Sequence, residues 1–214
     1  MLAVQVLVLA KQPIAGLVKT RLSPPLTPQG AADVATAAIE DTLATVRAVP
    51  VARRVLVLDG IYRADGFDRQ PQCEGPMDVR LGAAFDDAAA ASPLPALLIG
   101  MDTPQLTVAL LREAVEALLA HPSVLGRATD GGWWALGLQR PDGDLLRGVA
   151  TSRDDTGARQ HARLVAAGLR PLLLPELRDV DTIEDARAVQ DLVPTSRFAS
   201  VLAALLPLPV QEIR

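Results

Sequence analysis

The sequence predicts an α/β protein on a mostly parallel sheet, and three observations carry that expectation. Short apolar runs rich in branched side chains alternate with segments whose apolar residues recur at helical spacing. Hydroxyl residues suited to N-capping stand in front of several helical segments. Charged and polar sets follow the strand-like runs, at the carboxyl ends where such sheets bind ligands.

Val4 to Leu9 reads as a buried opening strand. The following loop, Lys11 to Leu26, holds three prolines, Gly16 and the cluster Lys19-Thr20-Arg21. Thr27 then caps a first helix over 28–49, with Pro28 at the first helical position. Arg54 to Leu58 is a second strand, and residues 60–79 read as a long loop with a short strand near its end. Leu81 to Ala91 is expected to be helical. Leu97 to Gly100 forms a buried strand ending in Met101-Asp102-Thr103-Pro104.

Thr107 caps a helix over 108–120, whose apolar stripe includes Leu111, Val115 and Leu118. Ser123–Arg127 and Trp133–Leu138 are strands joined by the Asp130-Gly131-Gly132 turn. A polar stretch, 140–156, precedes a helix over Gly157 to Ala167. Leu172 to Leu174 starts a last strand, and Asp179-Val180-Asp181 follows it. Thr182 caps a helix reaching about Val193, and Phe198, Val201, Leu202 and Leu205 define a final amphipathic helix.

Composition narrows the function. Of 214 residues half are apolar and 21% are charged, which excludes a disordered chain. No apolar run approaches the ~18 residues of a membrane span. The first apolar run has no basic segment before it, so no cleaved leader is predicted. One cysteine, Cys73, excludes an internal disulfide framework and a zinc finger. A net charge of −4, no basic tract and only six aromatics (two Trp, one Tyr, three Phe) argue against nucleic acid as a partner. The expectation is a soluble cytoplasmic protein.

Nineteen of the 21 basic residues are arginine; the only two lysines, Lys11 and Lys19, share one loop. A compact ammonium suits phosphate binding, and Lys11, Lys19 and Arg21 together form a phosphate-neutralising set. A solvated loop face is the plainer alternative. Asp102, Asp179 and Asp181 also fall at strand ends. Oxygen donors without histidine or cysteine suit Mg²⁺ or Mn²⁺. The alternative is an Asx turn at Asp102 and caps at Asp179 and Asp181. In the turn at 130–132, glycines permit close approach to a ligand, and Trp133 offers an indole for stacking. Trp134 is expected in the core.

Two familiar phosphate motifs are absent. Gly16 to Thr20 echoes a P-loop but has Val18 where glycine is required, and no G-x-G-x-x-G follows the first strand.

Ala10-Lys11-Gln-Pro-Ile-Ala-Gly16-Leu-Val-Lys19-Thr20-Arg21-Leu22, Ile99-Gly-Met-Asp102-Thr-Pro104, Asp130-Gly-Gly132 and Asp179-Val-Asp181-Thr182, in that order, resemble one family. It is the glycosyltransferase-like family called selenodomain-associated transferase 1, within the nucleotide-diphospho-sugar transferase superfamily. The Lys-Thr-Arg-Leu loop and late Asp-x-Asp are also similar to those of 2-phospholactate and phosphoenolpyruvate guanylyltransferases. The resemblance spans about residues 4–193 and implies a GT-A-like three-layer sandwich, with a central mixed sheet and helices on both faces.

It also implies roles. Asp102, Asp179 and Asp181 would hold Mg²⁺ or Mn²⁺. Ala10, Lys11, Gly16, Lys19 and Arg21 would contact a nucleotide, with Lys19, Arg21 and Asp130 in the chemistry. Gly131, Gly132 and Trp133 would face the acceptor. The partners implied are an NTP or NDP-sugar and a small-molecule acceptor. Three departures from the family pattern stand out: Met101 before Asp102, tryptophans at 133–134 in place of tyrosines, and no Trp-Ser-Thr segment around 149–156.

On this reading residues 1–193 form the nucleotide-diphospho-sugar transferase-like domain. Residues 194–214 add an amphipathic helix and tail that cover their own domain or a second subunit, as in a homodimer. The expected activity is Mg²⁺-dependent nucleotidyl transfer with pyrophosphate release. The alternatives are glycosyl transfer from an NDP-sugar and nucleotide binding without turnover.

Overall fold

A computed structural model of the protein describes residues 1–206; the remainder of the expected tail, 207–214, lies outside the described residues. The elements run β1 (Leu2–Lys11), α1 (Pro28–Ala48), β2 (Val51–Asp59), β3 (Asp68–Pro71), α2 (Met77–Ala91), β4 (Ala96–Gly100), α3 (Val108–Ala120), β5 (Ser123–Ala128), β6 (Trp133–Leu138), α4 (Thr156–Ala166), β7 (Leu172–Leu177), α5 (Ile183–Leu192) and α6 (Arg197–Leu205). The seven strands lie in the order β3-β2-β1-β4-β6-β5-β7. β6 pairs antiparallel with β4 and β5; every other pairing is parallel. The mostly parallel mixed sheet and flanking helices are the predicted α/β class.

Alternation along β1 explains the two cores. Val4, Val6 and Val8 pack with Ile39 and Leu43 of α1 and with Leu111 and Val115 of α3. Leu7, on the opposite face, joins Leu81 and Phe85 of α2 and Leu164 of α4. Strands covered on both faces read as continuous apolar runs, which is why β1 and β4 are plain in the sequence. Trp134 is buried, as expected, and its indole N–H donates to the Pro175 carbonyl at 2.9 Å.

α1 is buried on two sides, by the sheet and by a third cluster with α5 and α6. Its alanines allow both close approaches. Phe198 and Leu202 of α6, fully buried, lie in that cluster, while Leu205 of the same stripe is 37% exposed. Burial at this scale contributes about 1.5–3 kcal/mol per large apolar side chain.

Several strands run a few residues longer than in the sequence reading, and two elements are displaced. The strand expected near the end of 60–79 lies in its middle, as β3, and α2 begins at Met77, four residues before Leu81. β3 is a four-residue polar edge strand, held beside β2 by pairing of 55–58 with 68–71 and by an Arg53–Asp68 ion pair of 2.7 Å. An edge strand with an exposed polar sequence has no alternation to read. α2 starts early because Pro76, with φ −66°, sets up its first turn. Among the described residues no helix is long and apolar enough to cross a membrane.

Candidate functional site

The chain leaves β1 toward β2 on one side and returns to β4 on the other, so β1 and β4 flank a switch in strand order. Ligand crevices form at the carboxyl ends of such strands. Here the loop after β1, Asp102 after β4 and the segment 179–181 after β7 converge. The Val180 N–H donates to the Asp102 carbonyl at 2.9 Å, and the Gln105 side-chain amide donates to the Arg178 carbonyl. Those bonds bring two acidic segments about 80 residues apart in sequence to one place.

Lys19 lies at the centre. Its backbone is left-handed (φ 48°), just before a short turn at Thr20–Leu22, and Val18 and Leu22 on either side are buried. Its side chain, only 8% exposed, reaches Asp102 Oδ1 at 2.7 Å and Asp181 Oδ1 at 3.2 Å. Burial works to discharge the ammonium, but the two carboxylates outweigh it and hold Lys19 above its ordinary value. Arg21 stands outside, mostly exposed, 3.6 Å from Asp181 Oδ2.

Asp179 lines neither of the site's two compartments. Burial, then the Asp130 carboxylate and then Asp181, push its carboxyl up to about 6. The folded chain therefore binds that proton more tightly than the unfolded chain. The stabilising effect of the neutral form is present at low pH and is lost as pH rises from the ordinary 3.8 through about 6. In chelator, Asp179→Asn is expected to melt roughly 2–4 °C above wild type at pH 7.5, about 1 kcal/mol after solvent screening, and level with it near pH 4. Melting curves that stay parallel from pH 4 to 7.5 would refute the burial argument.

Two adjoining compartments share Leu9, Arg21, Met77, Asp102 and Asp181 in their walls. The first, about 320 Å³, carries four cations, Lys11, Lys19, Arg21 and Arg80, against three carboxylates, Asp59, Asp102 and Asp181, with Ala10 and Gln72 also in its lining. The second, about 580 Å³, has an apolar wall including Leu9, Leu81, Leu98 and Trp133. Asp130, Gly132, Thr151, Ser152 and Arg153 also line it. Asp130 Oδ1 accepts from the Gly132 N–H at 2.7 Å, which orients the carboxyl. Gly131 supports this wall from behind, its carbonyl accepting from the Gly157 N–H at 2.7 Å. Gly16 is exposed and lines neither compartment.

Several lining residues carried no signal. Gln72 follows the cryptic edge strand, and its amide donates to the Ala10 and Val57 carbonyls at 2.8 and 3.0 Å. Arg80 belongs to the turn of α2 ahead of the expected start and pairs with Asp59 at 2.7 Å. Thr151 to Arg153 fall where the family pattern is missing, and that departure was the available hint. Ser152 there is left-handed, at φ 58°.

The donor set allows a test of the expected cation. Asp102, Asp179 and Asp181 share one sheet edge, but among the described residues no three carboxylate, imidazole or thiol groups gather closely enough to hold a metal by themselves. Mg²⁺ ordinarily takes one or two protein carboxylates, with substrate phosphates and waters completing the shell. An all-oxygen pair beside a cationic compartment fits an ion that arrives with phosphates.

The fold is shared with solved structures described as a candidate nucleotide-diphospho-sugar transferase and as cytidylyltransferases. A candidate nucleotide-diphospho-sugar transferase of Desulfovibrio desulfuricans G20 superposes with a TM-score of 0.86 at 22% identity, over 95% of each chain. Rv0371c of Mycobacterium tuberculosis H37Rv, in complex with manganese, matches at 0.54 and 22%, over 88% of this chain and 98% of its own. CMP:2-keto-3-deoxy-manno-octonic acid synthetase complexed with CTP matches at 0.55 and 13%, over 89% and 98%. At these identities the shared property is the fold. The chain belongs to the family described as "Uncharacterized protein conserved in bacteria (DUF2064)", whose profile matches residues 34–153, more than half the sequence. No curated protein matches it.

Proposed function

We propose that the protein is a divalent-cation-dependent transferase that binds a nucleotide over the strand ends, with nucleotidyl transfer as its chemistry. The observation that carries this is the cationic compartment lined by Lys11, Lys19, Arg21 and Arg80, meeting the carboxylates of Asp102 and Asp181 at its border with a second compartment. A triphosphate tail needs the first feature and an acceptor needs the second. The motif resemblance to selenodomain-associated transferase 1 supports a nucleotide-using transferase, and the glycosyltransferase-like label of that family favours glycosyl transfer.

Of Asp102, Asp179 and Asp181, the pair Asp102 and Asp181 would hold Mg²⁺ or Mn²⁺ with phosphates and waters completing the shell, and the ion would neutralise phosphate charge when bound. In the reaction an acceptor oxygen forms a bond to the α-phosphorus of an NTP, and the bond to pyrophosphate breaks. Lys19 and Arg21 stabilise the charge that develops on the leaving pyrophosphate. Lys11 and the backbone at Ala10 hold the nucleotide. Asp130, oriented by the Gly132 N–H, takes the acceptor proton or hydrogen-bonds the acceptor, while Gly132 and Trp133 shape its compartment. One observation favours glycosyl transfer as a second reading: the acidic, tryptophan-walled second compartment suits a sugar ring of an NDP-sugar.

A thermal-shift panel of NTPs and NDP-sugars, each with and without Mg²⁺, tests the proposal. A ligand at 100 times its dissociation constant adds ~2.7 kcal/mol, roughly 5–10 °C at this size. A shift with one NTP that requires Mg²⁺ supports nucleotidyl transfer; a preference for one NDP-sugar supports glycosyl transfer. No shift with any of them overturns the nucleotide site.

A further inference from the structure

The geometry points to Lys19 as a resident ammonium that closes the divalent-cation position until phosphate draws it away, so that cation and nucleotide bind with positive coupling. This rests on the reading of Asp102 and Asp181 as cation ligands.

The two carboxylates meet on a single Nζ, at 2.7 and 3.2 Å. Lys19 is nearly buried, whereas the Asp102 and Asp181 side chains are 41% and 42% exposed. The ammonium thus fills the inner side of the pair, and the carboxylates remain open to the cleft. Its placement is built in at the backbone. A non-glycine residue in the left-handed region is strained, and the buried Val18 and Leu22 on either side hold it there. Ordinary loop lysines point to water; this one is turned inward.

A divalent ion drawn to the same two carboxylates would stand beside this ammonium. Like charges a few ångströms apart repel strongly in a partly desolvated site. The ion therefore binds weakly while Lys19 stays. The ammonium also lines the cationic compartment, together with Lys11, Arg21 and Arg80. Phosphate oxygens there offer Lys19 a second anionic partner. As it turns toward them, Asp102 and Asp181 are released to the ion. Coupling between two ligands is reciprocal, so the ion raises nucleotide affinity by the same factor. Arg21 cannot take over the closing role, being largely exposed and 3.6 Å from Asp181.

Mn²⁺ alone, followed by its electron paramagnetic resonance signal, reads the closed position directly in wild type and Lys19→Met. The variant keeps the length of the stem and removes the charge; circular dichroism and a melt verify its fold. We expect Lys19→Met to bind Mn²⁺ roughly 5–150-fold more tightly, the usual span of coupling between sites, and Lys19→Met/Asp181→Asn to lose that gain. Equal affinity in wild type and Lys19→Met overturns the closure and leaves the cation ligands standing. No Mn²⁺ binding in any form, with CTP or GTP as well as without, overturns the cation site itself.

The wild type offers a second readout if Lys19→Met fails to fold. With only two lysines in the chain, ¹³C-lysine labelling gives one ε-methylene signal each for Lys11 and Lys19. Inorganic pyrophosphate without metal is expected to shift the Lys19 signal, and saturating Mg²⁺ is expected to move it toward that of a solvated lysine. A Lys19 signal that moves with neither overturns the closure.

Discussion

Asp181→Asn is expected to remove the Mg²⁺-dependent part of nucleotide binding. The thermal shift of roughly 5–10 °C expected for wild type with Mg²⁺ and its nucleotide falls to about that seen without metal. The unliganded variant melts within about 2 °C of wild type. The contrast follows from where the carboxylate stands. Its side chain is 42% exposed and contributes little to the core, and partly exposed ion pairs add only ~0–1 kcal/mol. Lys19 keeps Asp102 at 2.7 Å, and an asparagine at 181 still accepts a hydrogen bond. What the amide lacks is the negative charge that an ion beside two phosphates requires. A Mg²⁺-dependent shift of undiminished size in the variant would take Asp181 out of the cation site. A large fall in unliganded stability would mean that the Lys19 bridge is chiefly structural.

Gly131→Ala is expected to cost about 3 kcal/mol, lowering the melting temperature by roughly 6–12 °C. Gly131 has φ +91°, where an L side chain is strained, and its added Cβ would overlap the backbone carbonyl of Asp154. That neighbour is backbone and cannot rotate aside. The damage should fall on the second compartment, because the 129–132 turn and the segment 151–156 form its wall and close on each other through this glycine. The cationic compartment is built on other loops, so nucleotide binding measured well below the melting temperature should survive. Gly16→Ala supplies the comparison: φ is +77°, yet nothing lies within 4 Å of the added atom. Only the backbone cost, on the order of 1–2 kcal/mol, is expected there. Equal losses in the two variants would refute the argument from close packing.

Much of the fold was legible because its signals are local. Thr27, Thr107 and Thr182, read as caps from their place before apolar periodicity, each accept a backbone N–H, from Gly30, Leu110 and Asp185. At the last of these Asp185 completes a capping box. The turn at 130–132 joins β5 and β6 as its glycines implied. The elements that were misplaced or cut short, β3 and the first turn of α2, bury no apolar side chain of their own, and with them went Gln72 and Arg80. The segment 151–153 escaped for a different reason: its residues acquire meaning only from the glycine turn that they pack against.

By itself, then, the sequence determined the alternation of strands and helices, the placement of Lys11, Lys19 and Arg21 after the first strand, and the acidic residues after two later ones. Periodicity, caps and loop chemistry are properties of neighbours in the chain. Only the tertiary structure decided which charges face which. The crossover that sets β4 beside β1, and the bond from Val180 to Asp102, bring Asp181 and Asp102 onto one ammonium. The same packing leaves Asp179 under the influence of the Asp130 and Asp181 carboxylates, with the Lys19 ammonium a smaller opposing influence. Pairing of this kind depends on strand order and on distances of a few ångströms between residues that are far apart in sequence, and no local pattern encodes it.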